Sequence, residues 1–433
     1  MGSVCRWNSQ YYRCQQRADT IREFMTSTGI EQISKSRVSE LAIQTGIPLF
    51  PTLIHVGRPN IGSEEVFLGR MREILQRRWL SNSGPMVLEF ERRLQEYLGA
   101  RHVICASNAT IALELAIRAL DLKGEVIVPS FTFVATAHAL QWQGITPVFG
   151  DVGSASHNLD PEQIEELITP RTTGIIGVHL WGIPCKHDRL QEIAKRRGLT
   201  LIYDAAHAFG CTLGGRMIGN FGAAEVFSFH ATKVFNSFEG GAIATNNDTL
   251  AERLRRMRNF GFKGYDTVEH VGTNGKMTEA AAAMGLTNLE SIDDFLAANA
   301  QNYRLYRRLL ADLPGCRLIS YPANEANNYQ YIVLEIDEEK AGIDRDSILQ
   351  ILHSENILAR RYFYPGCHRM EPYRSLSPYK VHRLPRTEGL TQRVLVLPTG
   401  TEIHPCEIEA IVSIIRLALA NPEECRSLLV RAS

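Results

Sequence analysis

Several features that would indicate a membrane, secreted or nucleic-acid-binding protein are missing from this sequence of 433 residues. No run of about 18 apolar residues occurs, which predicts no transmembrane helix, and the N-terminus lacks the apolar core of a secretory signal. Lys plus Arg and Asp plus Glu each number 47, and the resulting net charge of zero argues against a polyanion-binding protein. We therefore expect a protein that binds neither nucleic acid nor a membrane.

Cysteine pairs and metal-binding motifs are also absent. The nine cysteines are scattered and form no C-x-x-C pair, which favours reduced thiols in a cytoplasm over a disulfide framework or a zinc site. The histidines are dispersed, and no HExxH, P-loop or G-x-S-x-G motif occurs. We therefore expect no catalytic metal ion.

Three parts can be distinguished along the chain. Residues 1–55 are polar and weakly periodic, and we interpret them as an N-terminal extension, partly disordered at its start. Over residues 56–290, short apolar strands such as EVIVPS and LTLIY alternate with amphipathic helices, which predicts a large α/β domain with a mostly parallel sheet. Residues 291–433 predict a smaller α+β domain. A long helix from about Thr278 to Leu310 would link the two domains.

Asp204, His207, Ser228 and Lys233 form the centre of the predicted site. Asp204 ends the strand LTLIYD, and ligands of such sheets bind beyond the carboxyl ends of the strands. Lys233 comes just after the strand EVFSF, which is followed by HATK. Taken singly, a strand-end aspartate is as often a helix cap or loop anchor, and a loop lysine is usually a solvated charge.

A candidate anion site lies at the same edge of the sheet. Asn108, Ala109 and Thr110 open the helix IALELAIRAL, where free backbone N–H groups and the helix dipole favour a phosphate. Phe133 follows the strand EVIVPS, where its ring either stacks on a planar cofactor or packs in the core. A lysine that forms a Schiff base, a carboxylate on a pyridine nitrogen, a phosphate site and a covering ring are the parts that pyridoxal 5'-phosphate needs. The pattern makes this cofactor plausible.

Six segments of the chain resemble one enzyme family. They are SNATIALELAI, VIVPSFTFVATAHAL, GVHLWG, YDAAHAFG, SFHATKVFNSFEGGAI and GTNGKMTEAAAAMG. In their order and amino-acid sequence they resemble the DegT/StrS family of sugar aminotransferases. These are fold-type I pyridoxal-phosphate enzymes related in fold to aspartate aminotransferase. The resemblance runs from about Val56 to Thr401 and leaves out the first 55 residues.

The resemblance implies a role for each cofactor-binding position. Lys233 matches the lysine that binds the cofactor covalently, Asp204 matches the acid on the pyridine nitrogen, and His207 lies beside the ring oxygen. Phe133 corresponds to the stacking aromatic residue. The phosphate-binding positions are matched by Asn108, Ala109, Thr110 and Ser228. Asn274 matches an asparagine that reaches the phosphate from the other subunit, so a homodimer with shared active sites is implied.

The resemblance also implies a reaction. Deoxysugar dehydratases of the family carry histidine in place of the covalent lysine, so Lys233 makes this chain similar to the aminotransferases. The segment FHATKVFNSFEGG is most similar to enzymes that move the amino group of L-glutamate to carbon 4 of dTDP-4-keto-6-deoxyglucose. Their product is dTDP-4-amino-4,6-dideoxyglucose, a precursor for a glycan or an antibiotic. A carbon-3 ketosugar aminotransferase, a ketocyclitol aminotransferase, and a non-catalytic sensor of the cofactor or a nucleotide sugar stay open as alternatives.

Further residues are candidates for substrate binding. Trp181 ends the strand GVHLW at the active edge and faces either the sugar or the core. His368, in YFYPGCHRMEPY, matches a family segment with a substrate-contacting histidine, and Tyr364 beside it either holds the sugar diphosphate or simply packs. Arg360 and Arg361 are candidates for the diphosphate. Because neighbours on a strand point to opposite faces, we expect at least one of these arginines to be solvated.

Overall fold

A seven-stranded mixed sheet forms the centre of the larger domain. The computed structural model describes residues 34–153, 156–376 and 383–432. Its strands are β1 (Ile54–His55), β2 (His102–Ala106), β3 (Glu125–Pro129), β4 (Thr146–Gly150), β5 (Thr172–Val178), β6 (Thr200–Asp204), β7 (Thr212–Leu213), β8 (Arg216–Met217), β9 (Ala224–Ser228), β10 (Gly241–Thr245), β11 (Phe262–Lys263), β12 (Thr267–Val268), β13 (Cys316–Leu318), β14 (Ile332–Ile336), β15 (Ile357–Leu358) and β16 (Val394–Leu397). The central sheet has the order β2-β10-β9-β6-β5-β3-β4, in which β10 runs antiparallel to its neighbours. The predicted mostly parallel α/β fold is confirmed.

Helices cover the sheet and build much of the smaller domain. They are α1 (Ala42–Thr45), α2 (Glu64–Arg77), α3 (Pro85–Leu98), α4 (Ala109–Ala119), α5 (Ala135–Gln141), α6 (Pro161–Leu167), α7 (His187–Arg197), α8 (Asp248–Met257), α9 (Glu279–Leu289), α10 (Ile292–Leu310), α11 (Glu338–Ala341), α12 (Arg345–Ser354), α13 (Pro385–Arg393), α14 (Pro405–Ala420) and α15 (Pro422–Ala432). Alternate residues of β2 point into different cores: Ile104 packs in one, and Val103 and Cys105 pack in the other. In the described ranges, no helix combines the length and the apolar character needed to cross a membrane.

Capping residues set the ends of several helices. The side chain of Asn108 accepts the N–H of Ile111 at 2.9 Å, so α4 begins directly after β2. Asp160 caps α6, with Pro161 at the first helical position. Gly198 ends α7 in the left-handed region, at a φ of 65°.

One predicted helix is divided in the structure. Instead of a single helix over 278–310, α9 ends at Leu289 and α10 begins at Ile292. The first turns of α10 bury Phe295 in a core of the large domain, while its last turns bury Tyr306 and Leu310 in the small domain. Helix α10 therefore links the two cores, as a spine between the domains would.

The described part of the predicted N-terminal extension belongs to the small domain. Val38, Leu41 and Phe50 are buried in the same core as α12 and α14, and β1 pairs in parallel with β15. The boundary predicted at residue 55 therefore does not separate this segment from residues 291–433. Although this segment is mostly polar, its few apolar side chains pack it into the core of the small domain. The predicted disorder at its start falls on residues 1–33, outside the described residues.

A buried carboxylate holds this segment in place. Glu355 is fully buried, and its oxygens accept the backbone N–H groups of Ala42 at 2.7 Å and Leu49 at 2.6 Å. The same carboxylate pairs with the amine of Lys35 at 2.7 Å. Three donors from the N-terminal segment thus converge on one side chain that follows α12.

We expect Glu355→Gln to destabilise the protein, because an amide N–H would face donors and the charge that Lys35 needs would be lost. A cost of about 1–3 kcal/mol is the scale for leaving such buried groups unsatisfied. Thermal unfolding and protease sensitivity of residues 34–50 measure the effect. Glu409→Gln, at an exposed position of α14, is the matched control. Equal unfolding temperatures for the two variants would contradict the anchoring role.

Candidate active site

The ends of four strands bring the predicted residues to one edge of the central sheet. Parallel strands β3, β6 and β9 end there, and β2 ends there as well because antiparallel β10 separates it from β9. Asp204 is the last residue of β6, and Ser228 is the last residue of β9. The loop after β9 carries Lys233. This is the edge at which doubly wound sheets bind ligands.

Lys233 presents a desolvated amine. Its side chain is partly buried, and its Nζ lies 3.3 Å from the hydroxyl oxygen of Tyr331. Desolvation lowers the pKa of Lys233 to about 8, while the nearby charge of Asp204 raises it and so limits the decrease. A substantial share of this amine is therefore unprotonated at neutral to mildly alkaline pH, as a nucleophile or a base requires.

Asp204 is a buried carboxylate held by donors. Its Oδ2 accepts the hydroxyl of Thr136 at 2.7 Å, and its Oδ1 accepts the N–H of Ala206 at 3.0 Å. Burial raises the pKa of Asp204, and the two hydrogen bonds and the charge of Lys233 oppose the increase. Because Thr136 gives its proton to Asp204, the hydroxyl of Thr132, 3.2 Å away, donates to Thr136 in turn. Sequence reasoning missed both threonines, although both lie in the segment VIVPSFTFVATAHAL.

The predicted anion site lies at the start of α4. The carboxamide oxygen of Asn108 caps the helix, and the N–H groups of Ala109 and Thr110 belong to the first turn, which has no intrahelical acceptors. Gly241 pairs with Ser228 across the sheet, and a Cβ on Gly241 would lie 2.7 Å from the nitrogen of Ala109. The absence of a side chain at Gly241 therefore lets Ser228 and the helix start approach each other around one small cradle.

Two predicted cofactor contacts lie at the rim of this cradle. Phe133 follows β3 and is 58% exposed in the single chain, so it is open to a ring or to a second chain and does not pack in the core. Asn274 is exposed as well. The carbonyl of its neighbour Gly275 accepts the N–H of Ser107 at 2.9 Å, which places the Asn274 segment beside α4 of the same chain. Its reach into a partner's site stays a prediction.

Two of the predicted substrate residues are engaged by the protein itself. Trp181 is fully buried and stacks on Phe363, with ring centroids 5.4 Å apart, so the core alternative describes it. His368 is also buried: its Nδ1 lies 2.6 Å from the hydroxyl of Ser130, and its Nε2 lies 3.3 Å from Glu388. With both ring nitrogens occupied, His368 ties a small-domain loop to the end of β3. The expectation that it faces the substrate is corrected accordingly.

The remaining candidates differ in their charge partners. Tyr364 is 38% exposed, and the guanidinium of Arg361 lies 4.3 Å from its ring centre. Arg361 also pairs with Asp346 at 3.1 Å. Arg360 instead lies over the ring of Tyr362, at 5.2 Å, and Tyr362 is close enough for its charge state to affect the pKa of Lys233. Arg360 is thus the arginine on the side of the amine.

The structure adds residues near Lys233 that sequence reasoning missed. A Cβ on Gly57, whose φ is 74°, would lie 2.8 Å from the carbonyl oxygen of Thr232, so the chain before α2 passes directly against the lysine loop. Asn60 donates to the carbonyl of Val234 at 2.9 Å. Gln330 accepts the N–H of Val234 at 3.1 Å. These contacts join segments that are far apart in the sequence.

This set of groups fits pyridoxal 5'-phosphate. Lys233 supplies an amine for covalent attachment, Asp204 supplies a buried carboxylate for a ring nitrogen, and the cradle at Ala109, Thr110 and Ser228 supplies donors for a phosphate. His207 is buried beside them. Among the described residues, no group of three or more His, Cys, Asp or Glu side chains could hold a metal ion.

Comparison with known proteins agrees with this chemistry. A model of the DegT/DnrJ/EryC1/StrS aminotransferase family matches residues 62–416. The dTDP-4-amino-4,6-dideoxy-D-glucose transaminase of Shigella dysenteriae is 38% identical over 363 residues, which are 84% of this chain and 98% of that protein. The GDP-perosamine synthase of Caulobacter vibrioides is 34% identical over 370 residues, which are 83% and 96% of the two chains.

Solved structures show the same fold. A crystal structure of DesI in the presence of its TDP-sugar product superposes with a TM-score of 0.86 and 46% sequence identity, and the match covers 91% of this chain and 99% of DesI. The amine, the carboxylate and the cradle at the start of α4 thus lie in a fold shared over nearly the whole chain. The chain belongs to the DegT/DnrJ/EryC1/StrS aminotransferase family of pyridoxal-phosphate-dependent sugar aminotransferases.

Proposed function

We propose that the enzyme moves the amino group of L-glutamate to carbon 4 of dTDP-4-keto-6-deoxyglucose and so forms dTDP-4-amino-4,6-dideoxyglucose. The observation that carries this proposal is the desolvated amine of Lys233 next to the buried carboxylate of Asp204. The similarity to a dTDP-4-amino-4,6-dideoxy-D-glucose transaminase and to DesI supports this choice of sugar. The GDP-perosamine synthase supports a GDP-linked ketosugar as the second candidate.

Bound pyridoxal phosphate supplies an aldehyde that condenses with amines and a ring that accepts an electron pair. The chain's own residues supply the rest. Lys233 would hold the cofactor covalently and, when released, its amine accepts and returns a proton near neutral pH. Asp204 would pair with a protonated ring nitrogen, and Thr136 holds that carboxylate in place. Tyr331, whose hydroxyl stays protonated because burial raises its pKa, gives the amine a fixed neutral neighbour.

Two cationic side chains, Arg58 and Arg360, supply positive charge for the anionic substrates. Partial burial lowers the pKa of His55, and the nearby charges of Arg58 and Arg360 lower it further, so these three side chains lie close together. In the described part of the chain, neither of the two guanidinium groups has a carboxylate partner. Arg360 lies over the ring of Tyr362. Arg58 follows Gly57, which packs against the loop that carries Lys233. Carboxylates of glutamate and the diphosphate of a nucleotide sugar are the anions that such a group binds.

A homodimer with shared active sites is part of the proposal. Large apolar side chains are exposed in the single chain around the cradle and on the β11–β12 hairpin; they are Phe133, Phe238, Phe260, Tyr265 and Val271. An exposed apolar patch of this kind marks an interaction surface. A second copy seated there would cover it and bring the exposed Asn274 toward a partner's site. The seven cysteines among the described residues are free thiols, which supports a cytoplasmic location.

Purified enzyme, incubated with L-glutamate and a panel of ketosugars, should form the carbon-4 amino sugar from the dTDP-4-keto-6-deoxyglucose substrate, with the position of the amine read by NMR. The panel includes a GDP-linked ketosugar, a carbon-3 ketosugar and a ketocyclitol. Lys233→Ala should form no product, because no other amine replaces it. An amine at carbon 3, or no turnover of any nucleotide sugar, would contradict the proposal.

The cofactor-free enzyme should capture pyridoxal phosphate faster as the pH rises, with a midpoint near 8, since only the unprotonated amine of Lys233 reacts and its pKa is about 8. Below that pH the amine is protonated and capture slows. Stopped-flow absorbance gives the rate, and borohydride trapping followed by peptide mass analysis identifies the modified lysine. A midpoint close to 10.5, the ordinary value, would show that the amine is not desolvated.

Arg360→Ala should raise the KM for the substrate whose anion it contacts by about ten-fold, the scale of one charge-assisted contact. Steady-state kinetics with glutamate and with the nucleotide sugar varied separately show which anion it is. Arg374→Ala removes an exposed arginine paired with Glu371 and serves as the control. Unchanged KM values for both substrates would remove Arg360 from the binding site.

A further inference from the structure

The position of His207 is set by the backbone of Trp181. The N–H of Trp181 donates to Nδ1 of His207 at 3.3 Å. Because a backbone amide can only donate, Nδ1 carries no proton and the proton of the neutral ring is on Nε2. Burial, together with the charge of Lys233, keeps the pKa of His207 well below its usual range. His207 is therefore a neutral ring that offers one donor, Nε2–H.

The side chain of Trp181 is fixed in turn. Its Nε1 donates to Nδ1 of His157 at 3.2 Å, and its ring stacks against the rings of His207, at 5.8 Å, and Phe363, at 5.4 Å. The backbone of Trp181 is left-handed, with a φ of 61°, a conformation that is rare for a bulky residue. The side-chain contacts of Trp181 thus stabilise its left-handed backbone conformation. In that conformation its N–H points at His207.

A third contact crosses into the small domain. Since Nδ1 of His157 accepts the proton of Trp181, its Nε2 carries a proton and donates to Oε1 of Glu335 at 2.9 Å. Burial alone would raise the pKa of Glu335, but His157 and the guanidinium of Arg317 lower it below its usual range. His157 and Glu335 are both buried. The acceptor at the end of this series is therefore a charged carboxylate.

The side chain of Glu335 lies on the same face of strand β14 as that of Tyr331, which contacts Lys233. Residues 331, 333 and 335 alternate along the strand and so point to the same side. Tyr331 and Val333 pack in the cluster that contains Trp181, and Tyr331 meets the amine of Lys233. One face of a small-domain strand thus reaches both Lys233 and, through two side chains, His207.

We propose that Glu335 is a positioning residue for the amino transfer: through His157 and Trp181 it holds His207 with Nε2–H as the donor in the site. This inference rests on the proposed function. It means that the small domain also helps to orient a residue of the large-domain site. When β14 is packed against the large domain, Tyr331 contacts Lys233 and Glu335 contacts His157. Trp181, which the sequence placed against the sugar or in the core, acts here as the link.

The test compares Glu335→Gln with Glu355→Gln in the full-length holoenzyme. Both remove a buried carboxylate of the small domain, and both should lower the unfolding temperature. Glu335→Gln should also change the absorbance band of bound pyridoxal phosphate and lower kcat about ten-fold, with the KM for glutamate changed less than about two-fold, because the contact to His157 loses its charge and no substrate contact is lost. Glu355→Gln should keep the absorbance band and kcat of the unmodified enzyme.

A second pair of variants decides the matter if Glu335→Gln fails to fold. His157→Leu breaks both contacts of the ring and should change the absorbance band, while the amide of His157→Gln can accept from Trp181 and donate to Glu335 and should restore it. Variants that change the unfolding temperature but leave the absorbance band and cofactor affinity as they were would overturn the proposal. These spectra need no sugar, so they stay informative even where the sugar substrate differs from the one proposed.

Discussion

The active site depends on two ionisable groups that share a region from which water is largely excluded. Desolvation lowers the pKa of Lys233 and raises that of Asp204, and the charge of each opposes the shift of the other. Hydrogen bonds from Thr136 and Ala206 offset part of the cost of burying the carboxylate. The amine of Lys233 lies 3.3 Å from the hydroxyl of Tyr331, a neutral partner. This arrangement holds the carboxylate in place and leaves part of the amine unprotonated near neutral pH.

Closing off that region requires both domains. The sheet edge supplies Asp204, Ser228 and the start of α4, while the opposite wall consists of aromatic side chains that pack around Trp181. Two of them, Tyr331 and Phe363, come from the small domain. Loops that are far apart in the chain therefore meet at the amine. The charges around this wall are unevenly distributed: among the described residues Arg58 and Arg360 form no ion pair, whereas Arg361 is paired with Asp346.

The sequence predicted the parts of this site that rest on local rules. Asn108 after a strand predicts a capped helix, and Asp204 at a strand end predicts a place at the ligand-binding edge, because each depends only on its neighbours in the chain. Thr136, Tyr331 and His157 could not be found in this way, since their roles come from contacts across the sheet or between domains. His368 and Trp181 illustrate the opposite case: their positions near the site were predicted, but burial and hydrogen bonds give them partners within the protein. The spine over 278–310 was also predicted, although its break at residues 290–291 was not.

The chain before residue 62, where the family similarity begins, has a consequence for any shortened form of this enzyme. Residues 38–54 fill part of the small-domain core, Gly57 lies against Thr232, and Asn60 holds the carbonyl of Val234. A recombinant version trimmed to the limits of the alignment would lose a piece of the hydrophobic interior and the support of the reactive loop together. Truncations of this enzyme are thus better placed before residue 34 than at the edge of the recognisable similarity.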